Sequence, residues 1–352
     1  MPSPNQNHVT LARTYPPSWF DVLKIRVEAL PGPWWLAYAV FGGVMLTTQY
    51  LVNWASGVVL ADLSQIYFVL IAGGSAFVLG MTHFLDRAAM RAIHEFRPAL
   101  NCDETTFQTL VFEFTTMPRW RTLAFSVAGM CFVIIGLVRG FVPYQLLNLD
   151  APMYWQWFHA GAELLLWFVN GMFIFHTFRQ LYLVKQVYDR DAQINLFKLG
   201  PLYALSGLTA RTALAIVILG YGAAFTGSQV TAAETQLGTF ILASFGIFLC
   251  FLVPLLGIHR RLVQEKTRAL GEINARLEAT ITQVHAEMDE GTLEKIAPLK
   301  DLSETLEMQQ RVVEKIPTWP WQPETLNVVI TALVLPIVLF IIQFVIQKLL
   351  EP

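Results

Sequence analysis

Seven stretches of this chain are apolar for about 20 residues each, the length of helix that crosses roughly 30 Å of hydrocarbon. They lie near 34–53, 64–84, 122–142, 157–178, 205–225, 236–258 and 326–347. A backbone in lipid must satisfy its own hydrogen bonds, so only a helix bundle or a closed barrel can span. A barrel would show strands of about ten residues with alternating polarity, and these windows do not alternate. Composition agrees: 14% of the residues are charged and mean hydropathy is +0.48, where a soluble domain carries about a quarter charged residues. The sequence therefore predicts an all-α, seven-helix transmembrane bundle whose first partner is the lipid bilayer.

Charge is distributed unevenly along the chain. Lys and Arg number 3 before the first window, 5 between the second and third, 4 between the fourth and fifth, and 9 between the sixth and seventh. The opposite loops, 54–63 and 226–235, hold none. Positive charge stays on the cytoplasmic side, so the N-terminus is expected inside and the C-terminus outside. A net charge of −2 gives nucleic acid no basic surface, and no nucleic-acid partner is expected. Cys102, Cys131 and Cys250 fall in inner segments or spans, so no external disulfide is expected. Residues 1–33 lack the continuous apolar core of a cleavable signal peptide.

Four regions follow. Residues 1–33 form an amphipathic, interfacial segment: Ser18 is a plausible N-cap for a helix with Phe20, Leu23, Val27 and Leu30 on one face and Asp21, Lys24 and Glu28 elsewhere. Residues 34–258 carry six spans with inward helical extensions. Ala72, Ala76 and Gly80 in the second span make a small-residue stripe for close helix approach. The second span is expected to continue inward to Pro98, the fourth to about Arg190, and the sixth, kinked at Pro254, into a charged helix ending near Gly291. Along that helix Leu270, Ile273, Leu277, Ile281, Val284 and Met288 form a narrow apolar seam. Residues 259–315 thus read as a cytoplasmic helical hairpin, closed on itself or joined to other helices.

Residues 316–352 hold the elbow Ile316-Pro317-Thr318-Trp319-Pro320-Trp321-Gln322-Pro323 and the last apolar run. Pro317, Pro320 and Pro323 forbid a continuous helix. Trp319 and Trp321 suit the headgroup boundary.

Candidate chemistry is sparse. His159, Glu163 and Asn170 sit at offsets of four and seven on the fourth span, with Glu163 about 9 Å below its outer end. Ionisable groups at such depth face the bundle interior or water. Arg139 is at similar depth. The four residues read either as a ligand pocket open to the outside or as an ion pair that fixes packing. In the last span Asn327 and Thr331 form one short polar stripe and Gln343 with Gln347 another, more than about 100° apart on a straight helix. They are candidate pore-lining residues around an apolar middle that could gate by wetting. No P-loop, His-x-x-x-His zinc site, Gly-x-Ser-x-Gly elbow or CxxC occurs. No enzyme activity, catalytic residue, cofactor or metal is expected.

The run Lys315-Ile316-Pro317-Thr318-Trp319-Pro320-Trp321 before a final apolar helix resembles the tail of many uncharacterised prokaryotic polytopic membrane proteins. That resemblance implies a prokaryotic cytoplasmic membrane. The predicted topology, with a seventh helix split into a water-side half and a membrane half, is similar to that of the insect chemoreceptor channels. In that family four subunits join through cytoplasmic extensions and the membrane half of the seventh helix lines a cation pore. Gustatory members carry Thr-Tyr seven residues before Gln-Phe; here Gln343-Phe344 is present, but Thr331-Ala332 stands twelve residues earlier. The resemblance implies a homo-oligomeric ligand-gated cation channel with a small-molecule ligand. A membrane-anchored sensor or scaffold acting through its cytoplasmic helices is the second expectation. A transporter, which would show an inverted repeat, is the third.

Overall fold

The computed structural model describes residues 15–57, 62–138, 151–227, 233–291 and 296–350. Among them the chain is built from helices, without strands. Six helices contain stretches long and apolar enough to cross a membrane, and the protein is an integral membrane protein.

Helix α1 (Trp19–Glu28) starts where the sequence places its cap. The Ser18 hydroxyl accepts from the Asp21 amide and Asp21 reaches back to the Ser18 amide, a reciprocal capping box. The chain then turns through Gly32, at a φ of 106° that favours glycine, into α2 (Trp34–Ser56). Helix α3 (Asp62–Phe96) joins a span to its polar extension without interruption and ends in a 3-10 turn containing Pro98. The short α4 (Glu104–Thr115) is capped by Asp103, whose carboxylate takes the Thr106 amide. Helices α5 (Arg119–Val138), α6 (Met153–Arg190) and α7 (Gly200–Gly227) follow. Helix α6 runs to Arg190, as the sequence predicts. Helix α8 (Ala233–Leu252) and the charged α9 (Leu256–Asp289) meet at a 3-10 turn around Pro254, whose ring cannot sit inside an α-helix. Gly291, at a φ of 75°, ends the segment. Helices α10 (Ile296–Glu314) and α11 (Pro323–Leu350) complete the chain.

Packing follows the small residues. The Cβ that alanine would add at Gly42 of α2 falls 2.9 Å from the Cβ of Ala76, and the Tyr38 ring lies 3.6 Å from the corresponding point at Gly80. The predicted stripe on α3 is therefore the seat of α2. Backbone meets backbone more closely where α5 crosses α6. There a Cβ at Gly129 would stand 2.2 Å from the Trp167 carbonyl oxygen, and one at Gly171 would stand 2.1 Å from that of Phe125.

The largest apolar cluster joins the C-terminal ends of α3 and α6 and the N-terminal end of α7 to the α8–α9 turn through Phe96, Tyr188, Leu205, Phe251 and Leu255. Leu333 of α11 closes it. A separate cluster of Ile273, Leu306 and Val313, flanked by Leu270 and Leu277, zips α9 to α10 within one chain. Only part of the predicted seam is used. Ile281 and Met288 remain 47% and 53% exposed, because the face turned toward α10 carries Ile273, Thr280 and Glu287 at seven-residue spacing.

Candidate functional site

Two polar clusters are built into the apolar bundle. The first joins α2 to α6 near the start of α6. The Asn53 side-chain carbonyl accepts from Trp155 Nε1 at 2.6 Å and lies 3.0 Å from His159 Nε2. Since a carbonyl only accepts, His159 carries its proton on Nε2. Asn53 is 7% exposed and His159 4%. One turn deeper on α2, Gln49 is also buried. These groups sit beside the cluster of Ile71, Ala151, Trp155 and Ala162.

Glu163 and Asn170 of the predicted pocket each make a bond along α6. The Glu163 carboxylate accepts from Trp167 Nε1 at 2.8 Å, and the Trp167 ring packs on Phe132 of α5. The Asn170 amide bonds back to the Leu166 carbonyl of its own helix. Arg139 lies outside the described residues. Among the described residues His159 joins Asn53 and Trp155, Glu163 takes the Trp167 indole and Asn170 the Leu166 carbonyl. Asn53 and Gln49 were missed by sequence reading, although two amides one turn apart in an apolar span are the signal that would have found them.

The second cluster seals α1 against the C-terminal halves of α3 and α6. Lys24 Nζ donates to Asp86 Oδ2 at 2.6 Å and to the Thr115 carbonyl at 2.7 Å, and lies 3.4 Å from Asp21 Oδ1. The other Asp86 oxygen lies 2.8 Å from His176 Nε2. Asp21 Oδ2 accepts from the Ser18 hydroxyl at 2.7 Å and from the Met117 amide at 3.0 Å. Burial works against the charge on Lys24, but the Asp86 and Asp21 carboxylates outweigh it and raise its pKa above the ordinary 10.5.

A folded-state pKa raised above the unfolded value means stabilisation that is complete below the unfolded pKa and lost as pH rises through the folded one. The difference in unfolding midpoint between wild type and Lys24→Met is therefore expected to hold constant from about pH 7 to 10 and to shrink above that. A pH titration of both proteins in one detergent checks this; a difference already shrinking near pH 8 would contradict it.

Beside the clasp, the Tyr15 hydroxyl donates to the Thr116 carbonyl at 2.9 Å and accepts from Arg179, whose guanidinium also caps the Glu113 carbonyl. Burial pushes Tyr15 up to about 12, with Arg179 opposing. On the far side, His83 sits between Tyr38 and Glu28, 3.0 Å and 3.1 Å away. The Glu28 carboxylate can only accept, so His83 Nε2 carries a proton toward it.

The elbow is a stack of rings. Trp319 lies on His259 at 3.8 Å and 12°, and on Trp321 at 4.3 Å and 13°; Trp321 continues to Phe251 at 5.7 Å. His259 Nδ1 is 3.0 Å from the Thr318 carbonyl, and Lys266 Nζ donates to the carbonyls of Glu314 and Ile316 at the end of α10. Pro320 is buried and Pro317 exposed. The elbow thus docks on the α8–α9 junction, and the two tryptophans are held by rings of their own chain. Trp319→Ala removes two stacked pairs, together about 1–3 kcal/mol. Tryptic cleavage after Lys315 is expected to accelerate about tenfold in limited proteolysis; an unchanged rate would show that the stack does not hold the elbow.

In α11, Asn327 and Thr331 are exposed, whereas Val329 and Leu333 on the opposite side of the helix are 1% and 6% exposed against the bundle. The side chains of Gln343 and Gln347 lie outside the described residues. No protein-family model, curated protein or solved structure matches this chain.

Proposed function

We propose that the protein is one subunit of an oligomeric ligand-gated cation channel. It crosses the membrane seven times, with the N-terminus in the cytoplasm and the C-terminus outside. One observation carries the reading: α11 turns a polar stripe, Asn327 and Thr331, away from its own bundle while its other side is packed. A polar stripe facing lipid is unfavourable, and a shared aqueous path between subunits would accommodate it. In this reading α11 lines the path and the Asn53–His159 region, with Glu163 one turn deeper, receives the effector. Contacts between the α9–α10 hairpins hold subunits together through the side chains that the hairpin leaves exposed.

Light scattering of the purified protein, corrected for bound detergent, is expected to give a tetramer. A monomer in several mild detergents would remove the shared path. Planar-bilayer recording should then show current that vanishes on truncation of residues 316–352 and changes with Glu163→Gln and Gln343→Ala; current surviving the truncation would refute the assignment.

The closed hairpin also supports a second reading, a membrane-anchored sensor or scaffold. Ile281, Met288 and Met308 stand exposed on two charged helices whose seam is already filled, a surface suited to a partner protein. Charged substitutions at those three positions would then abolish partner capture without unfolding the hairpin.

A further inference from the structure

Gln49 is 1% exposed, and neither its amide nitrogen nor its carbonyl oxygen has a hydrogen-bond partner. Buried polar groups are almost always bonded, and an orphaned one is costly, the more so in a span surrounded by hydrocarbon. The position cannot relieve itself by turning to lipid. Met45 and Val52, one turn to either side on α2, pack against Ile71, Trp155 and Ala162 of α3 and α6, so the face that carries Gln49 is an interior one. One turn outward, the Asn53 carbonyl is already occupied by Trp155 and His159.

We propose that Gln49 is the hydrogen-bonding centre of a binding site between α2, α3 and α6. Its ligand is a small uncharged molecule bearing a hydroxyl. A hydroxyl carries a donor and an acceptor on one atom, and can therefore serve the carboxamide oxygen or nitrogen, or bridge to a neighbouring amide. Charge argues against ions. Gln49, Asn53 and Trp155 bring no formal charge. An ion placed among Met45, Ile71, Trp155 and Ala162 would lose its hydration without a counter-charge. The apolar surroundings suit the hydrocarbon body of an alcohol that partitions into the bilayer. The proposal rests on the effector-pocket reading above and adds to it a second α2 amide and a ligand class.

Three probes of similar shape test it on the full chain in lipid nanodiscs: cyclohexanol, methylcyclohexane and cyclohexylammonium. Saturation-transfer NMR is expected to show saturable binding of cyclohexanol alone, weakened about tenfold in Gln49→Met, the equivalent of one lost hydrogen bond. Thermal midpoints check that the variant is folded; should Gln49→Met not fold, Gln49→Asn keeps the amide, draws it back, and is expected to weaken binding likewise. Equal binding of cyclohexanol to wild type and variant overturns the proposal. So does equal binding of methylcyclohexane, which would mean only an apolar gap. Absence of saturable cyclohexanol binding, as when an internal water serves the amide, overturns it too. Binding is read without current. Silent bilayers with intact binding would remove the channel alone, and currents without binding would remove this ligand class alone.

Discussion

Gly171→Val is expected to prevent the bundle from assembling. At this crossing α5 and α6 touch through their backbones: an added Cβ would stand 2.1 Å from the Phe125 carbonyl oxygen and 2.9 Å from its carbonyl carbon. A side chain can rotate out of such a clash, but two helical backbones cannot. Relief requires the helices to separate by about an ångström or more, which unseats Ser126, Trp167 and the rings packed around them. Overpacking of this kind exceeds the usual 1–3 kcal/mol, and we expect more than about 3 kcal/mol. Gly129→Val should behave alike, since its Cβ would meet the Trp167 carbonyl at 2.2 Å from the other helix. Gly161, on the same helix, has nothing within 4 Å of its added Cβ, so Gly161→Ala should leave the unfolding midpoint nearly unchanged. Monodisperse yield and unfolding midpoint in detergent separate the cases. If Gly171→Val purified with a wild-type midpoint, the close crossing would be wrong.

The second large effect lies in the clasp between Lys24 and Asp86. The two side chains are 13% and 4% exposed, so removing one charge leaves the other buried. Breaking such a pair typically costs about 3–5 kcal/mol. Lys24→Met keeps the stem and removes the ammonium; Asp86→Asn keeps the shape and the neighbour of His176. Each is expected to destabilise strongly. The double variant should cost less than the sum, with a coupling of about 2 kcal/mol, because neither charge is then left unpaired. Simple additivity in the cycle would mean that the pair contributes no specific coupling and that Asp21 and Thr115 alone hold the ammonium. A local readout distinguishes the clasp from general damage: α1 should become accessible to protease at Arg26 before the bundle unfolds.

Local signals in the chain determined most of the elements. Ser18 and Asp21 are three residues apart and make their capping box without help from elsewhere. Pro98, Pro254 and Gly291 end or break helices because of their own backbone chemistry. Six of the seven apolar windows coincide with helices long and apolar enough to cross a membrane, because hydrocarbon imposes the same requirement on every residue it touches. The stripe of Ala72, Ala76 and Gly80 announces a close neighbour, though not that the neighbour is Gly42 and Tyr38 of α2.

Partnership at long range was decided by tertiary structure. Helical periodicity places Asp21 and Lys24 off the apolar face of α1, as a surface helix would have them. In the fold both turn inward, because Asp86 and the end of α4 wait there, 62 and 91 residues from Lys24. His176 joins from 90 residues beyond Asp86. The His159–Glu163–Asn170 face is a true helical stripe, and among the described residues each member has a different partner: His159 meets Asn53, Glu163 the Trp167 indole and Asn170 the Leu166 carbonyl. The apolar seam of α9 divides in the same way, with Ile273 packed and Ile281 exposed. Periodicity reports which residues share a face, a local property of one helix. What each face meets depends on how helices distant in sequence are brought together, and close backbone crossings such as Gly129 on Gly171 set those positions.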